Sequence, residues 1–240
     1  MILAYSPNIQ DGIATFDEEE TRHTLKVLRK RAGDELHWID GRGGRYRGHI
    51  LDVGKRQFTA TVAEYTPQAE RQPFRLTLGV APTKNIARLE WLLEKATEIG
   101  IDAVVPLWCA RSERTRVRTD RLEKILLSAT KQSLKAHLPT LYEPVKLADY
   151  LERLSPKAAN EHRLIAHCGP GHKAPMPGNF APRAVVSVLI GPEGDFSPDE
   201  VATATAAGFT GLTLGTERLR TETAALVAVT LADYELNRSQ

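Results

Sequence analysis

The sequence predicts two domains: a small β-rich barrel over residues 1–72, then an α/β domain with a mostly parallel sheet over residues 73–240. Three observations carry that prediction. Short segments of alternating polar and apolar residues, separated by glycine turns, fill the first seventy positions, a spacing that suits a small barrel. Strand-like apolar runs then alternate with helical periodicity to the C-terminus, the pattern of a parallel sheet covered on both faces. Between the two, residues 66–73 (TPQAERQP) are polar and flanked by prolines, which reads as a linker with the boundary near Gln72.

In the first domain residues 20–31 read as a helix, with Leu25 and Leu28 at helical spacing and Val27 beside them. Strands follow at 35–40 (ELHWID), 45–53 (RYRGHILDV) and 57–65 (QFTATVAEY). The turn signals between them are Gly33-Asp34, Asp40-Gly41, Gly43-Gly44 and Gly54. In the second domain 74–81 is a strand, and 85–99 is a helix carrying Ile86, Leu89, Leu92, Leu93, Ala96 and Ile99 on its apolar side. Gly100 stops that helix. Residues 103–107 form a strand, 120–136 a helix buried through Leu122, Ile125, Leu126 and Ala129, and 146–154 a short helix. Further strands are expected at 163–167, 185–190 and 212–214, further helices at 198–207 and 222–236, and a loop at 169–182, which is rich in proline and glycine.

An apolar content of 42% with 26% charged residues excludes disordered and fibrous classes. Cys109 and Cys168 lie far apart with no CxxC pair, which argues against a disulfide framework and a zinc site and fits a reducing cytosol. The start, MILAYSPNIQDG, lacks a basic segment followed by an apolar core, and no apolar run reaches membrane-spanning length. The expectation is a soluble, cytoplasmic protein with no membrane and no metal partner. A net charge of +2 conceals two basic clusters. From Arg22 to Arg56 ten Lys/Arg face four acids, and from Arg111 to Lys135 eight face three. Such clusters suit a phosphate backbone, or form a solvated basic face with no partner.

The most informative stretch runs from Val185 to Leu231, where two apolar segments each end in a glycine-containing loop that opens into a helix. In GPEGDFSPDE, Ser197, Pro198, Asp199 and Glu200 spell a capping box, with Ser at the N-cap, Pro at the first helical position and Glu at the third. Capping does not require the preceding Gly191-Pro192-Glu193-Gly194 turn, whose glycines let a backbone approach a ligand closely. The lysine-bearing phosphate loop and the GxGxxG dinucleotide pattern are both absent. In LGTERLRTETAALVAV, Leu214-Gly215 ends a strand, Thr221 or Thr223 caps the last helix, and that helix is apolar enough to be buried on most faces. Glu193, Asp195, Glu217, Arg218 and Arg220 are polar residues beyond what helix starts need, and the two arginines read as anion or substrate contacts.

These residues carry a family resemblance. The segments IGPEG (190–194), LG-x-x-x-LRTETA (214–224) and EKATEIGIDAVVPL (94–107) closely resemble the bacterial 16S ribosomal RNA uridine methyltransferases of the SPOUT class, which form 3-methyluridine. HTLKVLRKRAGDELHWIDGRGGRY (23–46) resembles the PUA-like RNA-binding barrel of the same family. The resemblance implies a PUA-like β-barrel over 1–72 and a SPOUT α/β domain over 73–240. A deep trefoil knot would span about 163–236, threaded by the last helix, an arrangement that topology rules alone would exclude. It further implies S-adenosylmethionine as cofactor, 16S rRNA or the small ribosomal subunit as substrate, and a homodimer with active sites at the subunit interface. Carried over residue by residue, the cofactor would be lined by Leu189, Ile190, Gly191, Pro192, Glu193 and Gly194 in one loop. Leu214, Gly215, Leu219, Thr221, Thr223 and Ala224 would line it from the other, and His167 would form a third wall.

Arg220 is assigned to stabilise negative charge developing on the uracil oxygens, and Arg22, Lys26, Arg29, Lys30, Arg31 and Arg218 to bind RNA. The sequence departs from the family pattern in two places. Asp195 stands where the family's GPEGG has its last glycine, and Lys131-Gln132 with Lys135 stands where it has Glu-Gln and a downstream arginine. Two other readings remain open at this point. One is a non-catalytic RNA-binding protein with a degenerate SPOUT dimerisation domain. The other is a small-molecule α/β enzyme, which leaves the basic clusters without a role.

Overall fold

A computed structural model describes residues 2–67, 75–178, 180–181 and 183–238. Most of the expected linker, the boundary at Gln72, and Phe74 at the start of an expected strand lie outside the described residues. The chain divides into two compact units, Met1–Arg71 with Leu127–Leu138, and Gln72–Leu126 with Pro139–Gln240.

In the first unit the elements are β1 (Ala4–Tyr5), β2 (Asn8–Gln10), β3 (Ile13–Phe16), α1 (Glu18–Thr21), a π-helical turn (Arg22–Val27), β4 (Glu35–Ile39), β5 (Gly44–Val53) and β6 (Phe58–Pro67). The strands form one sheet in the order β1-β4-β5-β6-β3-β2, in which only the β1–β4 ladder is parallel. Its two edge strands are consecutive in the chain, with only Ser6 and Pro7 between them. Ser6 N donates to Ile39 O beyond β1 (3.0 Å), and Ser6 Oγ donates to Thr15 O on β3 (2.6 Å). One residue therefore bonds to both ends of the sheet, which curls it into a barrel and protects its edges. The barrel is filled by Phe16, Trp38, Ile50 and Phe58, with the Phe16 and Phe58 rings stacked at 4.3 Å and Trp38 edge-on to Phe16 at 5.7 Å.

The expected 20–31 helix is corrected to α1 and the π-helical turn, shifted toward the N-terminus. Asp17 provides the reason: its carboxylate accepts from Glu20 N at 2.9 Å and so starts the helix two residues earlier. The helix also ends sooner, and Arg29 takes a left-handed φ of 57°. Val27 is 64% exposed and forms no part of a core.

The second unit contains β7 (Arg75–Val80), α2 (Ile86–Ile99), β8 (Ala103–Trp108), α3 (Thr119–Gln132), β9 (Thr140–Leu141), β10 (Val145–Lys146) and α4 (Leu147–Glu152). It continues with β11 (Glu161–Ala166), β12 (Val185–Ile190), α5 (Pro198–Ala206), β13 (Thr210–Leu212) and α6 (Thr221–Arg238). The second half of α3 falls in the first unit. The sheet runs β10-β8-β7-β12-β11-β13, β9 also pairs with β8, and every ladder is parallel, as the βα alternation predicts. Beneath it pack Leu107, Ile165, Leu189, Phe196 and Phe209.

Asn85 caps α2 through Ala87 N (3.2 Å) and Gly100 ends it at φ 143°, as expected. Three readings shift. The 120–136 helix stops at Gln132, because Leu134 adopts φ 56°. The 212–214 strand lies two residues earlier as β13, and the expected loop before it contributes a parallel bridge from Ala174 to Leu212. Helix α6 is buried along one stripe, Thr221, Ala225, Ala228, Val229, Ala232 and Leu236, while Thr223, Thr230 and Tyr234 are exposed. It is therefore less enclosed than its composition suggests.

Candidate active site

The register aligns the strand ends in one row: Pro106 beside Val80, Val80 beside Ile190, Ile190 beside Ala166, and Ala166 beside Leu212. The loops after β7, β8, β11, β12 and β13 thus leave from a common C-terminal edge, where open α/β sheets gather ligand-binding groups.

The turn after β12 is built tightly. Asp195 N donates to Pro192 O (2.9 Å), and a Cβ on Gly191 would lie 3.1 Å from the Phe196 main-chain nitrogen and ring. Asp195 takes φ 64°, the left-handed region that glycine adopts freely and that Asp tolerates better than most residues. Its carboxylate accepts from Phe196 N (2.8 Å) and from Cys168 N (2.9 Å), tying the turn to the loop after β11. Thr221 Oγ1, at the start of α6, donates to Gly191 O across 3.2 Å in a buried contact. The two C-terminal motifs therefore meet directly.

Arginines and carboxylates brace this arrangement from the loops after β7 and β8. Arg114 donates from Nε to Thr83 O (3.0 Å) and from Nη2 to Lys84 O (2.7 Å). Arg111 Nη1 donates to Gly194 O (2.9 Å). Glu193 Oε1 accepts from Lys84 N (2.9 Å), and Lys84 Nζ pairs with Glu113 (2.7 Å). The Ser197–Glu200 capping box forms as expected, and Glu200 additionally accepts from Ala110 N (2.7 Å). The second basic cluster is thereby largely engaged within the protein. Besides these two arginines, Arg118 pairs with Asp120, Arg121 with Glu90, and Lys131 with Glu20. The cluster is therefore part internal bracing and part exposed charge, with Arg116, Arg118 and Arg121 on the surface.

The anticipated site residues fall into distinct places. Leu189 and Ile190 are 0% and 2% exposed, with the Leu189 side chain in the core. Gly191 and Pro192 are buried, Gly194 is exposed, and the Glu193 carboxylate is occupied by Lys84. Leu214, Leu219 and Ala224 are half-buried, Thr223 is exposed, and Thr221 is the tether. Gly215 has φ 117° and open space where a Cβ would stand. His167 follows β11 directly. Its Nδ1 is shielded from solvent and has no partner among the described residues, and burial, then the Lys173 charge, lowers its pKa. The Arg218 and Arg220 side chains are exposed and form no ion pair or hydrogen bond among the described residues.

Sequence reasoning missed Arg111 and Arg114 as braces, although their position just after β8 was a signal. It also missed Glu222, which is 8% exposed, has Oε1 3.6 Å from Arg88 Nε, and has Oε2 without a partner among the described residues. In the first unit Arg22, Lys26, Arg29 and Arg31 are exposed, whereas Lys30 Nζ donates to Glu35 O at 2.7 Å. Among the described residues no helix is long and apolar enough to cross a membrane, and no group of three or more His, Cys, Asp or Glu could hold a metal.

Comparison with known proteins gives a consistent result. Residues 70–233 match the family model described as an RNA methyltransferase domain, and residues 16–63 match that described as an RNA methyltransferase PUA domain. The chain is similar to proteins named ribosomal RNA small subunit methyltransferase E. One from Synechocystis sp. is 28% identical over 227 residues, covering 92% of this chain and 73% of the relative. Another, from Bacillus subtilis, is 24% identical over 232 residues, covering 90% and 88%. Among solved structures, a probable rRNA-methyltransferase from Porphyromonas gingivalis superposes with a TM-score of 0.87 at 36% identity over the whole of both chains. The ribosomal RNA small subunit methyltransferase E of Neisseria gonorrhoeae, solved bound to S-adenosyl methionine, gives 0.82 at 25% identity over 98% of this chain and 97% of that one.

Proposed function

We propose the function from one premise: the chain belongs to the RNA methyltransferase family, with a PUA domain before its methyltransferase domain. On that premise it is an S-adenosylmethionine-dependent enzyme that methylates ring nitrogen 3 of a uridine in the 16S rRNA of the small ribosomal subunit, giving 3-methyluridine. It works in the cytoplasm as a homodimer. The observation that carries this reading is the Thr221–Gly191 tether, which joins the two motifs beside a strand-end histidine with a free ring nitrogen. The tether also fits a last helix threaded through a knot.

The residues fit the cofactor. Among the described residues His167 Nδ1 is shielded and unpartnered, a polar atom in want of a ligand, and Gly215 leaves room for close backbone approach. The main chain of the Gly191–Gly194 turn, with Gly215, Leu219 and Ala224, would hold it. When bound, S-adenosylmethionine supplies a methyl group activated by a positively charged sulfonium. His167, kept neutral by burial, does not repel that charge. Uracil N3 carries a proton and is a poor nucleophile until the ring gains negative charge. The free Arg220 guanidinium favours that charge on the flanking carbonyl oxygens, and Arg218 holds a phosphate. The degenerate, non-catalytic alternative is disfavoured because the Neisseria gonorrhoeae relative, similar over nearly the whole of both chains, was solved bound to S-adenosyl methionine.

Calorimetry and turnover on Arg220→Ala test the assignment. Cofactor affinity is expected to change less than about threefold and turnover to fall about 10²–10³-fold, as for loss of one charge-stabilising donor. Lost cofactor binding with normal turnover at saturation contradicts it.

A further inference from the structure

Glu222, on the first turn of α6, is 8% exposed, and its Oε2 is shielded with no partner among the described residues. Its Oε1 lies 3.6 Å from Nε of Arg88, on the first turn of α2. That contact is an ion pair without a hydrogen bond, since a guanidinium clamped to a carboxylate closes to about 2.7–2.9 Å. The Arg88 side chain makes no other ion pair or hydrogen bond among the described residues. It is 37% exposed against 11% for the Glu222 side chain, so Arg88 fronts the pair toward solvent. A buried carboxylate that only fastened two helices would fill both oxygens with donors, and an empty one costs stability that a ligand recovers. The carboxylates of Glu193, Asp195 and Glu200, at the same edge of the sheet, each accept a main-chain N–H.

The neighbours of the pair set it beside the Gly191–Gly194 turn. Thr221, the residue before Glu222, donates to Gly191 O, and Lys84, four residues before Arg88, donates from its main chain to Glu193. A carboxylate oxygen awaiting a donor and a guanidinium with its fork free are the complement of an α-amino acid, which carries an ammonium and a carboxylate on one carbon. We propose that Arg88 and Glu222 hold the zwitterionic amino-acid end of S-adenosylmethionine, its α-carboxylate on the Arg88 fork and its α-ammonium on Glu222 Oε2. The proposal rests on the reading that S-adenosylmethionine is the cofactor. A free amino acid carries the same zwitterion; the contacts of Thr221 and Lys84 with the cofactor turn favour the cofactor as its source. Because the ion pair is loose, Arg88 can turn outward with the ligand's carboxylate and uncover Oε2.

Titration calorimetry on the full chain tests this with three ligands. They are S-adenosylmethionine, its decarboxylated form, and 5′-methylthioadenosine, which lacks the whole amino-acid end. Wild type is expected to bind S-adenosylmethionine about tenfold tighter than the decarboxylated form, the worth of one charge-assisted hydrogen bond. Glu222→Gln, which keeps the side-chain shape, is expected to weaken S-adenosylmethionine about tenfold and to change 5′-methylthioadenosine by less than about threefold. Removing Arg88 alone would strand a buried charge, so Arg88→Gln/Glu222→Gln replaces both partners. This variant is expected to keep its thermal midpoint and to bind S-adenosylmethionine and the decarboxylated form equally. Equal losses for all three ligands mark a purely structural pair and overturn the proposal. Free L-methionine binding wild type as tightly as S-adenosylmethionine overturns the cofactor as the source. Variants that bind all three ligands as wild type does refute this inference alone. A wild type that binds none of them overturns the cofactor reading and this inference with it.

Discussion

Asp195 shows how much one residue does at this site. It supplies a left-handed backbone for the turn after β12, and its carboxylate holds the loop that carries His167. These tasks separate by substitution. Asp195→Gly keeps the backbone and loses the tie to Cys168 N, whereas Asp195→Ala loses both and adds about 1–2 kcal/mol of backbone strain. Urea unfolding is expected to rank wild type above Gly and Gly above Ala; Ala as stable as wild type contradicts the account. His167 yields a pH dependence. Its pKa lies below the ordinary 6.5 because of burial, then Lys173, so the fold favours the neutral ring. The associated stability is full above pH 6.5 and is lost as pH falls through the lowered folded value. Cofactor affinity is expected to be flat above pH 6.5 and to weaken below it, as titration calorimetry would show. In the sequence Asp195 was legible only as a departure from pattern, because a φ value is set by the whole turn.

At the scale of elements, the braces and the buried pair were the least legible features. Helices α2, α3, α5 and α6 follow from periodicity, caps and glycine stops, and are misplaced only at their ends. Strands β1, β2, β3, β9 and β10 hold two to four residues each, too few for alternation to register, and tertiary pairing defines them. Arg111 and Arg114 read as surface charge because no local pattern reveals a guanidinium that reaches carbonyls more than thirty or eighty positions away. Thr83 is buried, so Arg114→Ala leaves its carbonyl without a donor, at a cost of about 1–3 kcal/mol. Denaturant unfolding should show that loss together with a raised KM for the cofactor; an unchanged KM contradicts a bracing role.

Lys131 makes the same point within the first unit, where it pairs with Glu20, itself only 5% exposed. Burial raises the Glu20 pKa and the Lys131 charge pulls it back. A raised carboxyl gives its full stability contribution below the unfolded pKa and loses it as pH rises through the folded value. Lys131→Met is therefore expected to steepen the loss of stability above about pH 5 and to cost about 3–5 kcal/mol at neutral pH. Glu20→Gln in the same chain should restore most of it. Equal pH profiles for wild type and Lys131→Met contradict the pair's role.

For the whole molecule, composition and alternation yield a barrel followed by a parallel α/β sheet, and the motifs mark the C-terminal edge of that sheet. The meeting of residues 191 and 221 was not derivable from spacing, since it depends on how α6 packs against the strand ends rather than on any local pattern. Five cations of the 111–135 cluster have internal partners, and Arg29 and Arg31 are among the exposed cations of the first unit. Arg29→Ala/Arg31→Ala is expected to weaken rRNA binding and to reduce its log–log salt slope by about 1 for each phosphate no longer neutralised; an unchanged slope contradicts phosphate contact. The central claim, methyl transfer to uridine N3, is tested most directly by incubating the protein with labelled S-adenosylmethionine and unmethylated small ribosomal subunits, then digesting the 16S rRNA to nucleosides. The account requires the label in 3-methyluridine; label in another nucleoside, or in none, contradicts it.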